Sequence, residues 1–310
     1  MYETELIPLK NSRGMNIYIT YDYVKDEQRP LIIVPCQFER SMRDNVSISM
    51  YLIENGFNVL RYDNTNHVGI SDGDHLLFTT SGVYRDFDDI LKFVKTDRFK
   101  YTKLGVLGVS LTTRTLFRYF AENPNAKVDL FISLVGVVNF DGTLLNVVGE
   151  DIVNGYIEGK RYGVRKIVKY NVDLNSYLSD AIENNYNKVN TTVEDLVRIK
   201  IPLVVIGAEK DEWVNIEDYY NVFSDGIECI KEKFLIQDAS HKLNKNPEAG
   251  EQAMFQVVKS FSKHLRNIEL DNDLIYKPSI IEIIKRNKLE RKMEMEVIQK
   301  SIQNSIEEGF

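Results

Sequence analysis

Apolar positions along this chain come in short unbroken runs more often than in alternation. LIIVP (31–35), the interior of KLGVLGVS (103–110), the centre of KVDLFISLVGVV (127–138) and LVVIGA (203–208) each set apolar or small residues side by side. Runs of this length suit strands buried on both faces. FNVLRYD (57–63) and KEKFLIQDAS (231–240) are less pure versions of the same signal, and IYITYDYV (17–24) is rich in β-branched and aromatic residues. Between the runs the period changes. A helix is predicted from about Ser41 to Glu54, where Asn55 and Gly56 stop it. Others are predicted from a cap at Thr79 or Thr80 to Val94, over LTTRTLFRYFAEN (111–123), and from about Pro247 to Leu265. Such alternation predicts an α/β architecture, a mostly parallel sheet covered by helices on both faces.

Two stretches break the rhythm. Residues 141–198 replace the expected single crossover helix with a polar, Tyr- and Asn-rich segment of helical character, read as a cap inserted between core halves 1–140 and 199–310. Residues 279–309 carry Glu and Lys at helical spacing without proline. This C-terminal helix is expected to pack on the body through its Ile and Met stripe, with a partner-binding helix as the alternative.

The balance of 39 basic against 46 acidic residues, a net charge of −7, argues against nucleic acid as a partner. With 43% hydrophobic residues, 310 residues can bury a large core. Cys36 and Cys229 are the only cysteines, which gives neither a disulfide framework nor a zinc spacing. MYETELIPLKNSRG lacks a signal-peptide core and no run reaches membrane-span length, so the expectation is a cytoplasmic protein that is not integral to a membrane.

Parallel sheets present functional residues at the carboxyl ends of their strands. There the chain carries Ser110, Asp211 and His241, in the order of an α/β-hydrolase triad. A serine hydroxyl needs a base to take its proton, and the base needs an acid to hold its tautomer. Asp211 is best placed as the acid, with Glu209, Glu212 and Asp238 as rivals. The elbow GVSLT has Thr112 where GxSxG has its second glycine. Backbone N–H groups of Leu111 and Phe38 are the candidate oxyanion donors. Cys36 lacks a nearby histidine and reads as a buried thiol, while His67 and His75 in DNTNHVGISDGDH read as loop-fixing donors rather than metal ligands. No metal and no cofactor are expected.

Together RYDNTNHVGISDG, GVSLTTR, LVGVVNF, GAEKDEWV, ASHKL and the FERSM loop resemble the acyltransferases of bacterial bioluminescence operons, the myristoyl-acyl-carrier-protein thioesterases. The resemblance spans nearly the whole chain, and the family's elbow also carries a small hydroxyl residue in place of the second glycine. It implies an α/β-hydrolase fold, with Ser110 as acylated nucleophile, Asp211 as acid and His241 as base. It further implies a long fatty acyl group taken from an acyl-carrier-protein or CoA thioester and passed to water or an acceptor, with fatty acid reductase or synthetase subunits as partners in aldehyde synthesis. PCQF departs from the family's glycine before the phenylalanine, and segment 141–195 is only loosely similar. Its Leu144, Leu145, Val147, Val148, Ile152, Tyr156 and Tyr162 either line an acyl tunnel or form the core of the cap. Leu144, Val148 and Tyr156 are the candidates for acyl contact. Alternatives are another carboxylic-ester hydrolase, an editing thioesterase of a biosynthetic cluster, or a non-catalytic scaffold of the same fold that docks a reductase through its C-terminal helix.

Overall fold

The computed structural model describes residues 2–307, so positions 308 and 309 of the expected C-terminal helix lie outside the described residues. The chain opens with strands β1 (Glu3–Lys10) and β2 (Asn16–Tyr23), then β3 (Leu31–Pro35), helix α1 (Val46–Glu54), β4 (Asn58–Tyr62), α2 (Thr80–Val94), β5 (Leu104–Val109), α3 (Leu111–Glu122) and β6 (Leu130–Leu134). Next come α4 (Phe140–Val148), α5 (Ile152–Ile157), β7 (Val164–Ile167), β8 (Tyr170–Asp173), α6 (Leu174–Glu183) and α7 (Val189–Arg198). The last part holds β9 (Leu203–Ala208), α8 (Ile216–Val222), β10 (Ile230–Ile236), α9 (Pro247–Phe261) and α10 (Ile280–Glu307).

Eight strands form one sheet in the order β1-β2-β4-β3-β5-β6-β9-β10, parallel from β4 to β10 and antiparallel at the β1, β2 edge. The continuous apolar runs occupy its centre, where β3, β5, β6 and β9 are buried along their whole length. One face packs against α2 and α3 through Phe87, Ile90 and Phe117, the other against α1 and α9 through Leu52, Val257 and Phe261. Thr79 caps α2, its Oγ1 accepting from Gly82 N at 3.0 Å.

Two expectations are corrected, and one strand joins those read from the sequence. Glu3–Lys10, which no run singled out, is an edge strand paired antiparallel with β2, with Ile7 buried and Pro8 and Lys10 exposed. Within 141–198, β7 and β8 pair as an antiparallel hairpin, so the segment is not wholly helical. α10 docks through charge instead of through its Ile and Met stripe. Ile281 and Ile284 are 65% and 49% exposed, whereas Arg286 and Glu290 are buried.

The buried charges of α10 meet others on the sheet. Arg61 of β4, 0% exposed, donates from Nη2 to Asp22 Oδ2 at 3.0 Å and to Glu290 Oε1 at 2.7 Å. Its Nη1 reaches the Met42 carbonyl oxygen at 2.8 Å, and Arg286 pairs with both Asp22 and Glu290. Burial opposes ionisation of Asp22, but the Arg61 and Arg286 guanidiniums, with hydroxyl donors on Ser49 and Thr4, hold it below the usual carboxylate value. Ser279 and Glu282 begin α10 with a reciprocal cap: Ser279 N donates to Glu282 Oε2 at 2.8 Å and Glu282 N to Ser279 Oγ at 3.3 Å.

Candidate active site

β5 ends at Val109, and the chain turns sharply into α3. Ser110 makes the turn with φ 55° and ψ −131°, a left-handed backbone that a non-glycine residue adopts only under constraint. The constraint comes from both sides: Ser110 N donates to Leu134 O at 3.1 Å, and Ser110 O accepts from Val137 N at 3.1 Å. Close passage of strand and helix requires Gly108, where an added Cβ would stand 2.7 Å from Leu116 Cδ1 and 2.9 Å from Phe131 Cε2. Thr112, in place of the second glycine, turns its hydroxyl away from the serine. Oγ1 donates to the carbonyl oxygen of Cys36 at 2.8 Å and so ties the first turn of α3 to the end of β3.

The loops after β9 and β10 bring the other two residues to this turn. Ser110 Oγ lies 2.8 Å from His241 Nε2, and His241 Nδ1 lies 2.9 Å from Asp211 Oδ2 and 3.0 Å from Oδ1. A carboxylate beside Nδ1 keeps the proton on that nitrogen, which leaves Nε2 free to accept from the serine hydroxyl. Trp213 N and Val214 N donate to Asp211 Oδ1 at 2.9 and 2.8 Å, fixing the acid in place. The Trp213 ring covers the imidazole with centroids 4.5 Å apart.

Rival acids stand elsewhere. Glu212 accepts from the backbone N of His241 at 3.0 Å, a positioning contact remote from the ring. Glu209 accepts from Asp238 N at 3.0 Å, and Asp238 itself pairs with Lys210.

Phe38 follows β3 and Leu111 follows Ser110, so both flank the serine. The Leu111 N–H falls in the first turn of α3, where no preceding carbonyl of the helix can accept from it. Glu39, also at positive φ, is held by a hydrogen bond from its N–H to His67 Nε2 at 3.1 Å. His67 therefore acts as an acceptor, which corrects the donor expected for it: burial pulls its pKa down to about 4 and keeps the ring neutral. His75 is half exposed and meets the Tyr170 ring edge-on. Cys36 is buried, and burial together with the nearby Asp63 charge raises its thiol well above the ordinary value, a state unsuited to a nucleophile. Among the described residues, no cluster of three or more His, Cys, Asp or Glu is placed to hold a metal ion.

Residues of the acyl expectation separate into three groups. Leu144 and Val147 line a small cavity of about 50 Å3 that also touches Ser110 and Leu111. Ile152 and Tyr162 are buried in the cluster built by α4 to α6, with Val148 and Tyr156 packed at its margin. Leu145 is exposed. A second cavity, of about 610 Å3, opens on the other side of Ser110 and His241 and is lined by residues of α1, α9 and α10 that the sequence did not single out.

A family model described as acyl transferase matches residues 4–299. The chain belongs to this acyl transferase family. It is similar to the acyl transferase of Photobacterium leiognathi, 24% identical over 94% of this chain and 93% of the relative, and to that of Photorhabdus luminescens, 25% identical over 94% of each. Among solved structures, Est1E from Butyrivibrio proteoclasticus with ferulic acid bound superposes with a TM-score of 0.63 at 17% identity, over 84% of this chain and 99% of that one. The Pyrococcus furiosus esterase PF2001 gives 0.61 at 15% identity, over 85% and 91%. This acyl transferase family member thus has the α/β-hydrolase fold. None of its described helices is long and apolar enough to cross a membrane.

Proposed function

We propose that the protein is a serine acyl-transfer enzyme that takes a long-chain fatty acyl group from an acyl-carrier-protein or CoA thioester. The observation that carries this reading is the Ser110, His241, Asp211 relay, with contacts of 2.8 and 2.9 Å at a serine in a left-handed turn. Ser110 Oγ attacks the thioester carbonyl carbon while its proton passes to His241 Nε2. Backbone N–H groups of Phe38 and Leu111 stabilise the oxyanion. As the carbon–sulfur bond breaks, the departing thiolate takes the proton from His241 and leaves as a thiol. In the second half water, or an alcohol acceptor, gives its proton to His241 and attacks the ester, releasing the fatty acid or its ester and restoring Ser110. Asp211 stabilises the imidazolium of both steps.

The thioester donor is supported by membership of the acyl transferase family and by the sequence resemblance to bioluminescence acyltransferases. On the same ground the released fatty acid feeds aldehyde synthesis in the cytoplasm, with fatty acid reductase or synthetase subunits as partners. Segment 141–198 acts as the cap over the serine, supported by the contacts of Leu144, Ile167 and Tyr177 with the small cavity beside Ser110. A carboxylic-ester hydrolase is the second reading, favoured by the esterases that share the fold. Release of free thiol from myristoyl-CoA, beside release of nitrophenol from a nitrophenyl ester, separates the two. Under the first reading the thioester is the better substrate and Ser110→Ala stops both reactions; an ester-only enzyme contradicts it.

A further inference from the structure

Ser110 stands between two cavities of unequal size, and only one of them has room for a long chain. The cavity under α4 holds about 50 Å3. The other, of about 610 Å3, falls within the roughly 300–1,000 Å3 typical of small-molecule sites. From Ser110 and His241 it runs past Ile48 and Tyr51 of α1 and Met254 of α9 to Ile283 in the first turn of α10. Its floor belongs to the apolar cluster on that face of the sheet, where Tyr51 and Met254 are buried and Ile48 and Leu243 pack against them. Charged side chains also line it, among them the Lys277, Glu251 ion pair and the buried Glu39 beside Phe38.

Resting on the acyl-transfer reading above, we infer that the fatty chain lies in this groove and that α10 closes its far end. Each buried methylene contributes about 0.8 kcal/mol, so a long chain gains most along the longest apolar surface that leads from the serine. Ile283 and Met254 then set the preferred chain length. The wall is firm because α10 is capped at Ser279 immediately before it and pinned at Arg286, one turn later, to the buried Asp22 and Glu290. A helix remote in sequence from the triad thereby determines specificity.

The test measures binding of octanoate, myristate and palmitate to the Ser110→Ala protein by calorimetry at concentrations below micelle formation. Affinity is expected to rise with chain length. Ile283→Trp, at a partly exposed position that tolerates bulk, and separately Met254→Trp are each expected to weaken palmitate binding by roughly tenfold, the equivalent of about two unburied methylenes, with a loss that grows with chain length. Unchanged profiles in both variants, a shortened profile in Leu144→Trp instead, or no fatty acid binding at all would overturn the assignment. Turnover of short-chain esters by the unsubstituted protein reports on Ser110 alone, so the groove and the acyl-transfer reading fail independently.

Discussion

Thr112 joins two parts of the site, the serine turn and the loop that carries Phe38. Its hydroxyl donates to the buried carbonyl oxygen of Cys36, two residues before Phe38. Thr112→Val keeps the shape and removes this donor, leaving the carbonyl only the longer bond of 3.4 Å from Asn64 Nδ2, at a cost of about 0.5–1.5 kcal/mol. Urea unfolding is expected to show this loss, with a fall in kcat as the Phe38 N–H loses its register; unchanged stability and rate would show the bond to be dispensable. His67 supports the same loop from its other end. Its folded pKa of about 4 lies below the ordinary 6.5, so between these values the unfolded chain binds more protons and stability rises with pH. His67→Gln, which retains an acceptor for Glu39 N, is expected to flatten the dependence of unfolding free energy on pH across that window. A slope identical to that of the unsubstituted protein would place the titration elsewhere. Residue chemistry was partly legible in the sequence. Ser110, Asp211 and His241 stand out because strand ends in a parallel sheet converge, whereas the roles of Thr112 and His67 depend on partners 76 and 28 positions away.

At the scale of elements, two buried ionic contacts position helices around the site. Arg114 of α3, 0% exposed, donates to Asp195 of α7 at 2.7 Å and to the Tyr186 and Asn185 carbonyl oxygens, locking the helix that follows the serine to the segment above it. Arg61 does the same for α10. Arg61→Ala leaves Asp22 and Glu290 buried without their main counter-charge and is expected to cost about 3–5 kcal/mol in urea unfolding. Limited proteolysis should then cut before α10, near Lys277. Stability within about 1 kcal/mol of the parent, the scale of a surface pair, would refute the latch. The Ile and Met spacing of α10 invited an apolar docking face, and the same sequence repeats Arg and Glu at helical spacing on the opposite side. Which face is buried was decided by Asp22 and Arg61 on the sheet, a pairing that periodicity cannot reveal. The β7, β8 hairpin escaped notice for a different reason: four residues per strand are too few to establish an alternation.

Over the whole molecule, the parallel sheet collects three distant residues at the carboxyl ends of its strands, with cavities of different size on either side of Ser110. The continuous apolar runs made that sheet legible, since strands covered on both faces have no polar side to show. Of its antiparallel edge only β2 was legible, because Glu3–Lys10 is broken by polar residues and Pro8. This architecture is expected to form an ester on Ser110. Incubation with myristoyl-CoA, rapid acid quench and intact-mass measurement with peptide mapping tests it most directly. A mass increase of one myristoyl group located on Ser110 is expected, absent in Ser110→Ala and strongly reduced in His241→Gln, which lacks the base that takes the serine proton. Thioester turnover with no adduct in any of these proteins, or an adduct on another residue, would contradict it.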